Sequence, residues 1–219
     1  MADRVVIAGG GTGGHLYPGI ALAKALMKHD SKLQIVFVGT RQGLESRALP
    51  REGFPLKTIV SGGLLGKRGW ARFMAWARLP VGFVQSLVFL AGRRPRLVVG
   101  VGGYVSGPLV AAAWLLRIPT LIHEQNAHPG ITNRLLGRGV DRVALTFEDA
   151  ARFFPAGKWT VTGNLIRETF ARAEPPQPPS GRTSLRVLLL GGSLGAHSIN
   201  IAMIDALEFL GPLKERLSF

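Results

Sequence analysis

The first glycine-rich segment of the chain combines an anion-binding backbone with a histidine. Residues 9–14 read Gly-Gly-Gly-Thr-Gly-Gly and match the G-x-G-x-x-G spacing, which brings backbone N–H groups and a helix N-terminus close to an anion or a hydroxyl. His15 follows directly. A neutral imidazole can accept the proton of a sugar hydroxyl or hydrogen-bond a phosphate, although a histidine that caps the helix or packs against it would suit the same position.

The residues around this loop bear on two nucleotide-binding alternatives. A nicotinamide-cofactor domain places Asp or Glu at the end of its second strand, whereas this chain has Gly39, Thr40 and Arg41 there. An NADP site that uses Arg41 therefore stays open. No Lys followed by Ser or Thr comes after the glycines, which excludes a Walker loop.

Two further polar clusters follow predicted strands. Residues 100–108 form a second glycine loop, in which Tyr104 and Ser106 supply a ring and hydroxyls suited to sugar or pyrophosphate recognition; a tight strand-to-helix turn is the alternative. Residues 123–126 read His-Glu-Gln-Asn at the end of a predicted buried strand. Because ligands bind at the carboxyl ends of strands in open α/β sheets, this cluster indicates a binding site rather than core.

The elements that must position these residues alternate between short apolar strands and helices. Such alternation predicts parallel βαβ units and therefore a doubly wound α/β sheet. The predicted strands are residues 5–8, 33–38, 55–60, 97–101, 120–123, 142–146 and 160–162, and the predicted helices between them are residues 17–29, 46–52 and 108–116.

A proline-rich linker divides the chain. Residues 175–179 read Pro-Pro-Gln-Pro-Pro, a run that stiffens the segment and prevents helix or ladder formation. After it the order strand, glycine loop and helix restarts over residues 185–210. We therefore expect an N-terminal Rossmann-like domain over residues 1–172, a linker over 173–183, and the first, incomplete βα unit of a second Rossmann-like domain over 184–219.

The charge distribution favours a membrane surface over nucleic acid. The 219 residues carry a formal net charge of +14 and no cysteine. No acidic residue lies between Glu52 and Glu124, where nine Lys and Arg residues mix with large apolar side chains. That mixture predicts an anionic membrane surface as a partner and no nucleic acid. The lack of cysteine suits a reducing cytosol, and the N-terminus has no room for a signal peptide.

The basic and apolar segment over residues 64–94 is the predicted membrane contact. Its apolar run covers only about 13 residues, against the roughly 20 that span a bilayer. We expect a core helix over residues 81–91 and, before it, an interfacial patch with arginines at the lipid headgroups; burial of the whole segment in the core is the alternative. The predicted patch includes Leu64, Leu65, Trp70 and Phe73.

Four motifs taken together resemble one known family. They are residues 9–18, 102–108, 123–126 and 191–196, and their order and spacing match the MurG family of N-acetylglucosaminyltransferases over essentially the whole chain. The resemblance implies a GT-B fold, in which two Rossmann-like domains enclose the active site. It also implies an inverting reaction: the 4-hydroxyl of N-acetylmuramic acid in lipid I attacks the anomeric carbon of UDP-N-acetylglucosamine (UDP-GlcNAc), and UDP leaves. The product is lipid II for peptidoglycan synthesis.

The resemblance also assigns a location, partners and site residues. It implies a peripheral enzyme on the cytoplasmic face of the bacterial inner membrane, with cell-wall synthesis or division proteins as further partners. His15 and Glu124 are the implied catalytic residues, and His15 is the better candidate for the general base. The implied contacts to UDP-GlcNAc are Thr12, Gly13, Gly14, Asn126, Arg167 and Ser193, and those on the acceptor side are Gly103, Tyr104 and Ser106. No metal or cofactor is expected, because no carboxylate pair or Asp-x-Asp element in the sequence suggests a metal site.

Two departures from the family pattern affect these expectations. Leu165 and Ile166 stand where the family commonly has Pro-Val, a change that leaves Arg167 in register. The chain also ends one βα unit into the donor domain, so we expect the 219-residue form to bind donor poorly and to turn over little or not at all. An NADP-binding oxidoreductase domain and a non-catalytic membrane module that captures a lipid pyrophosphate are the alternatives.

Overall fold

The chain forms two compact units, Met1–Ala171 and Arg172–Phe219. The larger unit contains a seven-stranded sheet, and the smaller unit contains a two-stranded sheet. The computed structural model describes residues 3–62, 69–171, 185–191, 196–211 and 216–218.

The sheet of the larger unit is parallel throughout. Its strands are β1 (Arg4–Ala8), β2 (Gln34–Gly39), β3 (Leu56–Thr58), β4 (Leu97–Gly100), β5 (Thr120–Glu124), β6 (Arg142–Leu145) and β7 (Trp159–Val161). Their spatial order is β3-β2-β1-β4-β5-β6-β7. The order reverses between β1 and β4, which makes this pair the switch point at which doubly wound sheets bind their ligands.

Helices cross between consecutive strands, as the alternating pattern predicted. They are α1 (Gly13–His29), α2 (Glu45–Arg51), α3 (Gly69–Ala91), α4 (Ser106–Leu115), α5 (Ile131–Leu136) and α6 (Glu168–Ala171), with a 3₁₀ helix at Glu148–Phe153. The sequence did not predict α5, α6 or the 3₁₀ helix. It also placed the start of α1 at residue 17, because glycine lowers helix propensity; here Gly13 and Gly14 themselves form the first turn.

Buried apolar side chains cover both faces of the sheet. On one face Leu16 of α1 and Leu49 of α2 pack with Phe37 of β2. On the other face Leu90 of α3 and Leu109 of α4 belong to a second cluster. Strands that are buried on both faces are nearly continuous apolar runs, which is why their positions could be predicted from the sequence.

Helix α3 is longer than the core helix expected over residues 81–91, and only one of its faces is buried. Leu90 lies in the core and α3 packs against α4. On another face Val81, Val84 and Val88 are 48%, 56% and 71% exposed. An apolar helix that packs on one side leaves the other side uncovered, so the expected core helix presents an exposed apolar stripe as well.

The smaller unit contains β8 (Leu185–Arg186), α7 (His197–Leu207) and β9 (Leu217–Ser218). β8 and β9 pair in parallel. The sequence predicted the strand and the helix but no strand after them. The structure shows that a strand does follow, at Leu217–Ser218. Two residues are too short a run to stand out as a strand pattern in the sequence.

Candidate functional site

The two glycine loops meet at the switch point of the sheet. β1 and β4 are hydrogen-bonded neighbours, and the loops that follow them are in contact. A Cβ atom placed on Gly103 would lie 2.5 Å from the carbonyl oxygen of Gly10, and Gly103 has a φ of +81°. Glycine alone tolerates both conditions. The structure thus brings together the two glycine loops that the sequence singled out.

His15 packs against the second of these loops. A Cβ atom on Gly102 would lie 2.6 Å from His15 Nδ1, and Gly102 has a φ of +91°. His15 Nδ1 is buried and has no hydrogen-bond partner among the residues that the structure describes. Packing therefore positions the imidazole, and Nε2 is the ring nitrogen left to meet a ligand.

The first turn of α1 supplies backbone N–H groups beside His15. Thr12 is the N-cap, and its carbonyl oxygen accepts hydrogen bonds from His15 N at 3.3 Å and Leu16 N at 3.1 Å. The N–H groups of Gly13 and Gly14 come before these bonds and have no acceptor within the helix. Because the dipole of the 17-residue helix is positive at this end, the turn can bind an anion.

Glu45 fixes the first glycine loop from inside the protein, a role that the sequence did not reveal. Its carboxylate is fully buried and accepts hydrogen bonds from Gly11 N at 2.9 Å, Thr40 N at 2.7 Å and Thr40 Oγ1 at 2.9 Å. A Cβ atom on Gly10 or Gly43 would lie within 2.6 Å of this carboxylate. The glycines therefore make room for Glu45 as well as for a ligand.

The only local signal for this role is an acidic residue in the first turn of a short helix. That position is favourable for any Glu because of the helix dipole, and it does not indicate contact with a loop 34 residues away. The sequence therefore gave no reason to single out Glu45.

His123 is a buried part of the framework. Its Nε2 lies 3.2 Å from the Gly163 carbonyl oxygen, and its Nδ1 lies 3.1 Å from Gln125 Nε2, which also donates to the Val101 carbonyl oxygen at 3.0 Å. A neutral ring with its proton on Nε2 satisfies all of these contacts. Burial lowers the pKa of His123, although the Gly163 hydrogen bond and the Glu124 charge act in the opposite direction.

Glu124 is buried, and both of its carboxylate oxygens are occupied. Oε1 accepts hydrogen bonds from Asn126 N and Asn126 Nδ2, both at 2.9 Å. Oε2 accepts hydrogen bonds from Asn133 Nδ2 at 2.9 Å and Gly130 N at 3.3 Å. Two oxygens that accept four hydrogen bonds have little remaining capacity. The carboxylate thus fixes the turn after β5 and leaves the Asn126 amide oxygen available to a ligand.

Tyr104 and Ser106 occupy different environments. Tyr104 is 41% exposed, and its backbone carbonyl oxygen accepts a hydrogen bond from Ser61 Oγ at 2.8 Å. Ser106 is fully buried, and its Oγ lies 2.9 Å from the Ala8 carbonyl oxygen and 2.8 Å from that of Gly102. Tyr104 can touch a ligand as it stands, whereas Ser106 joins the end of β1 to the second loop.

A family model assigns this architecture. The model that describes the glycosyltransferase family 28 N-terminal domain matches residues 5–145, which include both glycine loops and the polar cluster after β5. The chain belongs to glycosyltransferase family 28. The expected α/β fold of the GT-B type, with a Rossmann-like N-terminal domain, is confirmed.

Curated relatives cover nearly all of this family 28 chain. A Myxococcus xanthus protein is 48% identical over 220 residues, which are 99% of this chain and 56% of the relative. A Syntrophus aciditrophicus protein is 47% identical over 214 residues, which are 98% and 59% of the two chains. Both are named UDP-N-acetylglucosamine–N-acetylmuramyl-(pentapeptide) pyrophosphoryl-undecaprenol N-acetylglucosamine transferase. The chain therefore spans a little over half the length of these relatives.

Solved structures give the same assignment. The crystal structure of Acinetobacter baumannii MurG is 28% identical, has a TM-score of 0.70 and covers 99% of this chain, which spans 64% of that protein. The resemblance to the MurG family is thus confirmed. The kitacinnamycin glycosyltransferase shares the fold, at 14% identity and a TM-score of 0.63 over 96% of this chain and 64% of its own length.

The remaining predicted site residues of this family 28 chain are exposed or lie outside the residues that the structure describes. Arg167 is exposed, and its guanidinium lies 5.2 Å from the ring centre of Tyr17, the side chain two positions after His15. Phe73 is 59% exposed on α3. Ser193, Leu64, Leu65 and the side chain of Trp70 lie outside the described part of the chain.

Over the described ranges, no group of three or more His, Cys, Asp or Glu residues is arranged to hold a metal ion. No described helix is both long and apolar enough to cross a membrane.

Proposed function

We propose that this family 28 chain is the acceptor-side half of an inverting N-acetylglucosaminyltransferase. It moves GlcNAc from UDP-GlcNAc to the 4-hydroxyl of N-acetylmuramic acid in lipid I and gives lipid II. The names of the relatives support this pair of substrates. The observation that carries the proposal is the meeting of His15, the first turn of α1 and the second glycine loop at the switch point, because one site then holds a base and an anion-binding helix end.

Proton removal from the attacking hydroxyl falls to His15. The oxygen of the acceptor hydroxyl forms a bond to the anomeric carbon while the bond to UDP breaks, and the hydroxyl proton passes to the imidazole and then to solvent. Glu124, the other predicted catalytic residue, is buried with four donors on its carboxylate. It is therefore better suited to position Asn126 than to take a proton.

Stabilisation of the departing diphosphate falls to groups that already lie near His15. The N–H groups of Gly13 and Gly14 can receive developing negative charge without reorganisation, which is the usual source of electrostatic catalysis. Thr12, Asn126, Arg167 and Ser193 remain the predicted donor contacts. Arg167 lies over Tyr17, one turn of α1 beyond these N–H groups, which supports its assignment to the same site.

We assign the membrane-facing surface to a stripe on α3 that includes Phe73 of the predicted patch. Phe73, Val81, Val84 and Val88 are all exposed and recur at intervals of 8, 3 and 4 residues, which places them on one side of a helix. The segment from residue 53 to residue 123 has no acidic side chain to repel anionic lipid. We assign this stripe to the cytoplasmic face of the inner membrane, where cell-wall synthesis or division proteins are the further predicted partners.

Flotation with anionic liposomes tests the stripe. Replacing Val84 and Val88 by Ser removes apolar groups worth about 1 kcal/mol or more each at an interface, so liposome binding should weaken by more than tenfold. Ile166→Ser, which changes an apolar side chain that is 53% exposed elsewhere, is the matched control. Equal flotation of the stripe variant and the control would show that α3 does not contact the membrane.

A transferase assay tests the function itself. It compares the 219-residue chain with a full-length form, in which the chain continues to the length of its relatives, and with His15→Ala in that form. We expect the full-length form to make lipid II from lipid I and UDP-GlcNAc, the short chain to make little or none, and His15→Ala to lose about 10²–10⁴-fold in kcat. His29→Ala, on the exposed end of the same helix, should have wild-type activity.

Three results would count against the proposal. Substantial activity of the short chain would overturn the need for further residues after position 219. Full activity of His15→Ala would remove the base from the mechanism. Tight NADPH binding without transfer would favour the oxidoreductase alternative, and lipid capture without transfer would favour the non-catalytic membrane module.

A further inference from the structure

A polar cavity lies at the carboxyl ends of β2 and β3, and none of its lining residues has yet been assigned to the transferase site. It has a volume of about 500 Å³. We call it the arginine pocket, and its lining consists of Thr40, Arg41, Gln42, Thr58, Ile59, Val60, Ser61, Arg78 and Gln85. Its position at strand ends is the one at which open α/β sheets bind ligands.

The arginine pocket is positively charged. Arg41 follows β2 and Arg78 comes from α3, and its described lining contains no Asp or Glu. Neither guanidinium makes a hydrogen bond or an ion pair to any residue that the structure describes. Two guanidinium groups that converge on one cavity without internal acceptors favour a ligand with oxyanions, because their N–H groups bind carboxylate or phosphate in pairs.

Hydrogen bonds connect the arginine pocket to both glycine loops, through Glu45 for the first loop and directly for the second. Thr40 donates to Glu45 through its N–H and its hydroxyl, and the same carboxylate accepts from Gly11 N. On the other side Ser61 Oγ donates to the Tyr104 carbonyl oxygen. An anion in this pocket would therefore lie beside the loops that surround His15 and not on a remote surface.

An apolar groove of about 730 Å³ shares a rim with the arginine pocket. Leu79, Phe83, Tyr104, Pro108, Ile131 and Leu135 are among the side chains that line it. The two cavities meet at consecutive residues of the chain: Ser61 lines the pocket and Gly62 the groove, and Arg78 lines the pocket and Leu79 the groove. The lining thus changes from polar to apolar within one residue in two separate segments, and at Arg78 and Leu79 the polar residue is charged.

This juxtaposition fits a ligand in which an anionic group is bonded directly to a hydrocarbon chain. A free nucleotide sugar has oxyanions but no such chain, and so leaves the groove unused. In the acceptor named for the relatives, the group joined to undecaprenol is the pyrophosphate, whereas the pentapeptide is carried on the N-acetylmuramyl group. The groove therefore distinguishes the pyrophosphate from the carboxylates of the peptide.

We propose that the arginine pocket binds the diphosphate of the lipid acceptor through Arg41 and Arg78, with the first part of the polyprenyl chain in the apolar groove. This assignment rests on the proposed transferase function and makes it more specific. It separates two anion sites: the first turn of α1 serves the charge that develops on the donor, and the arginine pocket holds the acceptor. Gln42 and Thr58 supply further donors inside the pocket.

Steady-state kinetics of the full-length form in neutral detergent test the proposal. The variants are Arg41→Ala, Arg78→Ala and the double variant, and Arg51→Ala on the exposed end of α2 is the matched control. Loss of a charge-assisted contact should raise KM for lipid I about tenfold for each arginine. KM for UDP-GlcNAc, kcat at saturating lipid I and the thermal midpoint should stay at their wild-type values, since both side chains are exposed.

A second acceptor identifies the anionic group. An undecaprenyl-pyrophosphoryl acceptor without the peptide should show the same rise in KM in the arginine variants. Unchanged KM for both acceptors, a rise only for the peptide-bearing acceptor, or a rise only in KM for UDP-GlcNAc would each overturn the proposal. If the wild-type protein transfers no GlcNAc, the proposed function fails; if it transfers GlcNAc and the arginine variants match the wild type, only the pocket assignment fails.

Discussion

Glu45→Gln is the sharpest test of how the first glycine loop is held. Glutamine keeps the shape of the side chain but replaces one accepting oxygen by an NH₂ group. If the remaining oxygen keeps both bonds from Thr40, the NH₂ group faces Gly11 N at the position of a 2.9 Å hydrogen bond. Two donors then oppose each other at a partly buried position, which costs about 1–3 kcal/mol.

Amide hydrogen exchange measures this cost where it arises. The opening free energy of a local segment sets the exchange rate of its amides, so a loss of about 1–3 kcal/mol corresponds to roughly 5- to 150-fold faster exchange. We expect this acceleration at Gly11 N and little change at Thr40 N. Because Gly11 leads into the first turn of α1, the full-length variant should also have a lower kcat.

Glu52→Gln provides the comparison. Glu52 makes a surface ion pair with Lys24, and such pairs contribute about 0–1 kcal/mol, so the exchange of Gly11 N should not change. Equal exchange of Gly11 N in wild type and Glu45→Gln would refute the assignment of Glu45 to the loop. Faster exchange at Thr40 N but not at Gly11 N would mean that the carboxylate serves the end of β2 alone.

Three further variants test the placement of His15, the role of Glu124 and the contribution of His123 to the pH dependence of stability. Gly102→Ala places a Cβ atom 2.6 Å from His15 Nδ1 at a φ of +91°. Denaturant unfolding should therefore show a loss of about 1–3 kcal/mol of stability, and product formation should show a loss of most transferase activity. Wild-type activity would contradict the placement of the ring. Glu124→Gln should lower kcat by about tenfold or less, because a lost general base costs about 10²–10⁴-fold; a loss in that larger range would restore Glu124 as the base. Burial lowers the pKa of His123 from 6.5, so the unfolded state takes up a proton first as the pH falls through about 6.5, and the free energy of unfolding declines below that pH. The free energy of unfolding of His123→Asn should therefore change less between pH 7 and pH 5. An equal slope in the variant and the wild type would exclude His123 as the source.

The sequence predicts the sheet because the sheet is buried on both faces. Residues 5–8 and 97–99 are uninterrupted apolar runs followed by glycine, and both lie in strands at the switch point. The glycine spacing also located the two loops of the site. These features depend on residues that are neighbours in the chain, which is why one sequence is sufficient to predict them.

The direction of the polar side chains could not be predicted in the same way. Residues 123–126 read as one polar run, yet His123 and Glu124 are buried while Asn126 is exposed. Ser106 likewise has its hydroxyl inside the fold. Which side chain faces a ligand depends on donors from distant segments, such as Asn133 for Glu124, and these become neighbours only in the folded chain.

The buried carboxylates of Glu45 and Glu124 determine which polar groups of the site remain available to a ligand. Glu45 directs the N–H of Gly11 inward, which leaves the N–H groups of Gly13 and Gly14 as the part of the loop that can meet a ligand. Glu124 binds the amide nitrogen of Asn126, which leaves its oxygen available. In each case a carboxylate that accepts several donors is costly to move, because every broken bond leaves a buried polar group unpaired. The acidic residues of this site therefore provide its rigidity, and the proposed proton transfer is assigned to His15 instead.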